Sequence, residues 1–302
     1  MKKIISTLII IIFIILSCSS SIGNNINKVE KTRKPMRIDF YEEFPNIENL
    51  SKAELIDFPS TIFIAAYSLN DFRIAEKLLY EINPDLEAGY WPILPESYFI
   101  SPFSLTFELQ CLIDELKNNS QDEKLKIMLD LEPPGRSFIF EHLNNISFFK
   151  NKKIIEYIIK NCEELNVEVH TSEFPYCNFF EKKRQELFGI SYSLDKFSFK
   201  KYLMFYHTWY INQGSFFENT FLFIKRKIAE QYILKQYNKY GDNLRVGVGI
   251  IAHGKNPNET VISPCILDDD IGFLYRNGIK TACVFRLGGL NESYINVIKK
   301  YV

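Results

Sequence analysis

Lys126-Ile127-Met128-Leu129-Asp130-Leu131-Glu132-Pro133-Pro134 is short, mostly apolar and β-like, and it ends in carboxylates. In a strand, residues i and i+2 share a face, so Asp130 and Glu132 project together. Two prolines follow at once and stop the strand, which leaves Glu132 at its C-terminal tip. No basic residue lies between the two acids. Burying such a pair costs free energy unless it is bonded or has a chemical task. Two readings follow: a structural pair bonded to amides or to an arginine on a neighbouring strand, or an active-site carboxylate pair.

Outward from this stretch, seven more strand-like runs alternate with helical patterns. The runs are Arg37–Phe44, Ser60–Ser68 and Leu86–Leu94 before it, then Val167–Pro175, Lys201–Trp209, Leu244–His253 and Lys280–Leu287. Apolar spacing of the helical kind marks Asp71–Ile82, Leu105–Asn118, Asn151–Leu165, Phe221–Tyr240, Asp268–Asn277 and Glu292–Tyr301. Eight strands, mostly separated by helices, predict an α/β fold: a single (β/α)8 TIM barrel over residues 37–302. Gly247 and Gly249 alternate along the seventh strand, as a crowded barrel interior requires. The rival, an open doubly wound sheet, calls for a glycine-rich phosphate turn after the first strand. That strand ends Glu42-Glu43-Phe44-Pro45 instead.

The N-terminus carries a separate message. Met1-Lys2-Lys3 is basic, and Ile4–Leu16 is an almost unbroken apolar run. That run is shorter than the about 20 residues of a membrane span and suits a signal-peptide core. It leads into Ile15-Leu16-Ser17-Cys18, which resembles a bacterial lipoprotein signal with Ile15 where leucine is usual. The resemblance implies residues 1–18 as signal peptide, Cys18 as lipidation site and export to a bacterial membrane. An ordinary signal peptide or an uncleaved anchor is the alternative. Residues 19–36 are polar and lack a core pattern, so they read as a flexible tether.

With a net charge of −1 there is no electrostatic footprint for nucleic acid. The five cysteines beyond Cys18 are 111, 162, 177, 265 and 283, with no C-x-x-C pair. Their odd number argues against a complete disulfide framework, and the pattern offers no zinc site. Four histidines without an H-x-H or H-E pair leave a metal-dependent phosphodiesterase as a minor alternative. No cofactor signature is present. Asp268-Asp269-Asp270, at the start of an expected helix, reads as capping rather than as a metal site.

The strand ends are acidic and aromatic: Glu42 and Glu43, Tyr90 and Trp91, Asp130 and Glu132, Glu173, Tyr206, His253 and Arg286. In a TIM barrel that rim carries the active site. A carboxylic acid that protonates a leaving oxygen, a second group at the cationic centre, and aromatic faces for sugar rings suit glycosidic cleavage. Asp130-Leu131-Glu132, with Met204-Phe205-Tyr206 on the sixth strand, resembles the family 18 chitinase-like glycoside hydrolases, whose barrels carry D-x-E and M-x-Y there. The resemblance implies Glu132 as general acid/base, Asp130 orienting an acetamido group that acts as internal nucleophile, and Tyr206 helping to hold it. The fuller family pattern has Asp where this chain has Leu125 and Met128.

A conventional two-carboxylate route would need Glu173 or Glu43 as partner, because the seventh strand offers no acid before Glu259. Glu173 resembles Glu132 in standing at a strand tip just before a proline. Tyr90 and Trp91 form a candidate sugar platform or loop packing. His253 is a candidate substrate contact or a structural residue. Arg286 would either bind a substrate anion or neutralise Asp130 or Glu132. A non-catalytic carbohydrate-binding barrel stays open beside the hydrolase; in either case the expected partners are a glycan and, through the anchor, a membrane.

Overall fold

The computed structural model describes residues 34–119, 124–132, 146–175, 179–210, 216–256 and 259–302. The signal-like segment with Cys18, most of the tether, and Pro133, Pro134 and Cys177 lie outside the described residues. Pro35–Val302 is one compact unit. Met36 is already buried, and its N–H donates to the Tyr301 carbonyl at 2.8 Å, so the barrel begins inside the expected tether.

Eight parallel strands close on themselves in sequence order: β1 (Arg37–Glu42), β2 (Thr61–Ala66), β3 (Glu87–Pro92), β4 (Leu125–Asp130), β5 (Val167–Glu173), β6 (Lys200–Met204), β7 (Leu244–Gly249) and β8 (Thr281–Phe285). β8 pairs with β1, Cys283 opposite Asp39, which makes the sheet a (β/α)8 barrel. The helices are α1 (Ile47–Leu50), α2 (Leu69–Ile82), α3 (Thr106–Lys117), α4 (Ile146–Lys160), α5 (Phe179–Leu187), α6 (Phe216–Tyr240), α7 (Pro264–Arg276) and α8 (Glu292–Ile298).

Both faces of each strand are covered, so the strands read as apolar runs rather than as a clean alternation. The alternation survives in what each face touches. Ile38 and Phe40 of β1, Ile62 and Ile64 of β2, Ile127 and Leu129 of β4, and Val246 and Val248 of β7 pack outward in the cluster that holds the helix faces. Phe72, Ala75 and Leu79 are the buried stripe of α2 in that layer. Each side chain of this size removed from water contributes about 1.5–3 kcal/mol. The intervening residues point inward: Tyr41, Phe63, Trp91, Met128, Tyr202 and Cys283 fill the interior. Gly89 makes room there, because a Cβ on it would meet Phe63 Cδ1 at 2.5 Å.

Three expectations shift. The fourth helix spans Ile146–Lys160 rather than 151–165, because Asn161 to Leu165 form a closing turn and Asn166 takes φ 51° to enter β5. The seventh helix starts at Pro264, with the Ser263 side chain accepting from the Ile266 N–H. Asp268, Asp269 and Asp270 therefore lie in the helix body and do not cap it. Asp268 pairs with Lys300 at 2.8 Å, and buried Asp270 with Arg226 at 2.7 Å and His207 at 3.2 Å. α5 is a further helix, which the largely charged run that follows Phe179-Phe180 does not announce by apolar spacing.

Candidate active site

The C-terminal ends of the strands surround a cavity of about 520 Å³. Strand parity decides what lines it. From β1 come Tyr41 and Glu43, from β3 Trp91, from β4 Asp130 and Glu132, from β5 Ser172, from β6 Met204 and Tyr206, and from β8 Phe285. Phe99 comes from the loop after β3, and Lys255, Asn256 and Glu259 from the loop after β7. The residues of each strand pair are two apart and so share a face. β4 itself ends at Asp130, and a tight bond from the Glu132 N–H to the Asp130 carbonyl, 3.1 Å, turns the chain there.

Four carboxyl groups share this space: Glu43, Asp130, Glu132 and Glu259. Burial raises the Asp130 carboxyl to about 8, helped by the charge of Glu43 and opposed by the Ser172 hydroxyl. Burial also holds Glu132 well above the ordinary carboxylate range, with Asp130, Glu259 and Glu43 adding to the shift. Glu259 is raised by burial and by Glu43. Both effects disfavour the charged form. The Asp130 Oδ1 atom is buried and makes no hydrogen bond. Glu43 is anchored differently: the Tyr98 hydroxyl donates to its Oε1, and the Lys255 N–H donates to its Oε2 at 2.9 Å. The Lys255 ammonium lies over the Tyr98 ring at 3.4 Å.

The walls are aromatic. The Tyr41 and Trp91 rings meet edge to face at 5.5 Å, and Phe285 sits 6.5 Å from Trp91 and 6.0 Å from Tyr206. The Phe285–Arg286 peptide is cis.

Of the residues singled out in the sequence, Glu132, Asp130, Tyr206, Glu43 and Trp91 come together here. Four do not line the cavity. Glu173 has the opposite parity to inward-facing Ser172; it lies fully buried outside the barrel, with Lys201 Nζ at 2.8 Å and the Thr171 hydroxyl at 2.8 Å. Tyr90 points to the helix layer, its ring 5.2 Å from Phe72. His253 is exposed, and its carbonyl accepts from Arg286 Nε at 2.8 Å. Arg286 pairs with Glu42 at 2.9 Å rather than with Asp130 or Glu132. Tyr41, Ser172 and Phe285 were missed. Tyr41 was findable, because it stands two residues before Glu43; Ser172 and Phe285 carry no chemical signature of their own in a strand.

No protein-family model matches the chain, and a search of curated proteins finds no match. Solved structures do resemble it. A chitinase from Chromobacterium violaceum aligns over 88% of this chain and 98% of its own, at 9% identity and a TM-score of 0.52. A broad-specificity endoglucanase of family GH5-4 from Clostridium longisporum aligns over 85% and 86%, at 15% identity and a TM-score of 0.51. A GH18 chitinase from Pseudoalteromonas aurantia aligns over 88% and 100%, at 7% identity and a TM-score of 0.50. At these identities the likeness is one of fold: all share the TIM barrel.

Proposed function

We propose that this protein is a glycoside-hydrolase-like enzyme in which Glu132 donates a proton to the glycosidic oxygen. One observation carries the reading. Glu132 opens into the cavity with its protonated form favoured by burial and by three neighbouring carboxyls, while Arg286 is engaged by Glu42 and the Lys255 ammonium lies over the Tyr98 ring. A carboxyl kept protonated at neutral pH is what general-acid cleavage of an acetal needs. Proton transfer from Glu132 lets the C–O bond break, and the carboxylate left behind accepts a proton from the water that attacks the anomeric carbon. Asp130 and Tyr206 stand beside Glu132 around the developing cationic centre, and Trp91 and Phe285 offer apolar faces to a sugar ring. The glycoside hydrolases that share the fold support a glycan as substrate; two of them are described as chitinases, which supports an amino-sugar glycan.

The test compares a soluble form beginning at Lys34 with its Glu132→Gln variant on N-acetylated and plain oligosaccharides and on peptidoglycan fragments. Loss of turnover by about 10²–10⁴-fold in the variant is expected. Equal turnover by both removes Glu132 as the acid. Binding without turnover, equal in both, leaves a carbohydrate-binding barrel.

The protein works, in this reading, as an exported lipoprotein held to a membrane through Cys18. Radiolabelled palmitate supplied to expressing bacteria should enter the parent and not a Cys18→Ala variant. Equal labelling of both would refute the anchor.

A further inference from the structure

The cavity has more acid than a single proton donor explains. Glu43, Asp130, Glu132 and Glu259 line it, and Lys255 is the one cation among the described lining residues. The Lys255 ammonium is drawn onto the Tyr98 ring. One buried polar atom in the lining has no hydrogen-bond partner among the described residues: Asp130 Oδ1, in a residue 7% exposed. Buried polar atoms are paired as a rule, so it marks where a bound molecule completes the site.

A partner that brings both donors and positive charge answers both the open oxygen and the excess of acid. Sugar hydroxyls supply hydrogen bonds but bring no charge to set against an ionised Asp130. A metal ion would need converging ligands, and among the described residues no three His, Cys, Asp or Glu side chains form such a group. A primary ammonium brings three donors and one charge on a small head.

Resting on the glycosidase reading of the same cavity, we propose that the sugar bound beside Asp130 carries a free, protonated amine, so that the substrate is a de-N-acetylated amino-sugar glycan. The ammonium seats against Asp130 Oδ1 and within reach of the Glu43 side of the cavity. Asp130 then ionises and gives its proton to solvent, while Glu132 keeps the proton it delivers to the glycosidic oxygen. The two neighbouring acids thereby divide their work: one neutralises the sugar's charge and one performs the proton transfer. The groups facing Asp130 that enter this balance are Glu43 and Tyr41 from β1, Glu132 beyond β4, Tyr206 from β6, and Glu259 and Lys255 from the loop after β7.

Titration calorimetry on the protein and its Glu132→Gln variant tests this with three equal-length β-1,4 tetramers: glucosamine, N-acetylglucosamine and glucose. At pH 7 the glucosamine tetramer should bind at least tenfold more tightly than either neutral one. It should also release about one proton, read from the heat in two buffers of different ionisation enthalpy. Asp130→Asn should bring the three affinities within about twofold of one another. An Asp130→Asn protein whose near-ultraviolet circular dichroism matches the parent's gives that comparison its meaning, and Asp130→Glu, which keeps the charge, should restore part of the preference. Neutral tetramers that are bound and cleaved as well as the charged one, with cleavage lost in Glu132→Gln, overturn this inference and leave the glycosidase reading standing. A glucosamine preference lost in Asp130→Asn, with no cleavage of any tetramer, upholds the amine site and overturns the glycosidase reading. No binding of any tetramer overturns both.

Discussion

Asp39 and Asp130 both point into the barrel interior, one toward each end, and they are treated in opposite ways. Asp39 is fully buried and fully engaged. Arg37 Nε lies at 2.8 Å, the Tyr202 hydroxyl donates at 2.8 Å, the Thr61 N–H donates at 2.9 Å, and Arg245 closes the set at 3.5 Å. Asp130 is almost as buried, has carboxylates for neighbours, and keeps one oxygen without a partner. Asp39, at the N-terminal end of the barrel, is compensated as a carboxylate, and Asp130, at the C-terminal end, has no counter-charge of its own and is kept protonated by burial. This is the division of labour general to TIM barrels, in which one end holds the fold and the other end does the chemistry.

The comparison is sharpest if the two aspartates respond to mutation with opposite sign. Asp39→Ala removes the acceptor that Arg245 and Tyr202 share, and leaves a guanidinium with no carboxylate inside the barrel. A loss of about 3–5 kcal/mol is expected, read from the urea midpoint. A loss below about 1 kcal/mol would mean that the network is replaceable by water and that the contrast between the two ends fails.

The opposite sign belongs to Asp130→Asn. In the unfolded chain this carboxyl titrates near 3.8, and in the folded protein at about 8, so between these values the folded state binds the extra proton. Stability therefore falls as pH rises from about 4 to about 8. Asparagine removes that dependence. Each pH unit across that span is worth about 1.4 kcal/mol, so at pH 8 the variant should gain up to about 5 kcal/mol, a rise in Tm on the order of 10 °C, with no gain at pH 4. A variant less stable than the parent at pH 8 would mean that the Asp130 charge is satisfied in the fold.

The barrel itself was legible because its signals are repeated. Eight apolar runs, each bounded by polar or proline-containing segments, appear with boundaries within a few residues of the strands observed. The site was legible only where parity could be read from one strand. Asp130 with Glu132 is a statement about i and i+2, and Tyr90 beside Trp91 one about i and i+1 on opposite faces, but which parity faces inward is fixed by the neighbouring strands. Glu173 shows the limit. It matches Glu132 in type, in place at a strand end and in the proline that soon follows. Yet Asp130 lies opposite Ser172, so Glu173 falls on the outer face and finds Lys201. Arg286 fails for a related reason, because its partner Glu42 sits on the outward face of β1, next to an inward Glu43 that it resembles in sequence. The last case is α7: Ser263-Pro264 is a good helix start, overshadowed by the run of aspartates that follows it.

The unpartnered oxygen of Asp130 also bears on how this protein would respond to laboratory evolution. A screen that rewards only resistance to heat or protease at neutral pH would favour neutral residues at positions 130 and 132. The survivors would be sturdier barrels with the same outline and a silent cavity. A library meant to keep the chemistry must therefore hold those two positions fixed and seek its stability at the other end of the barrel.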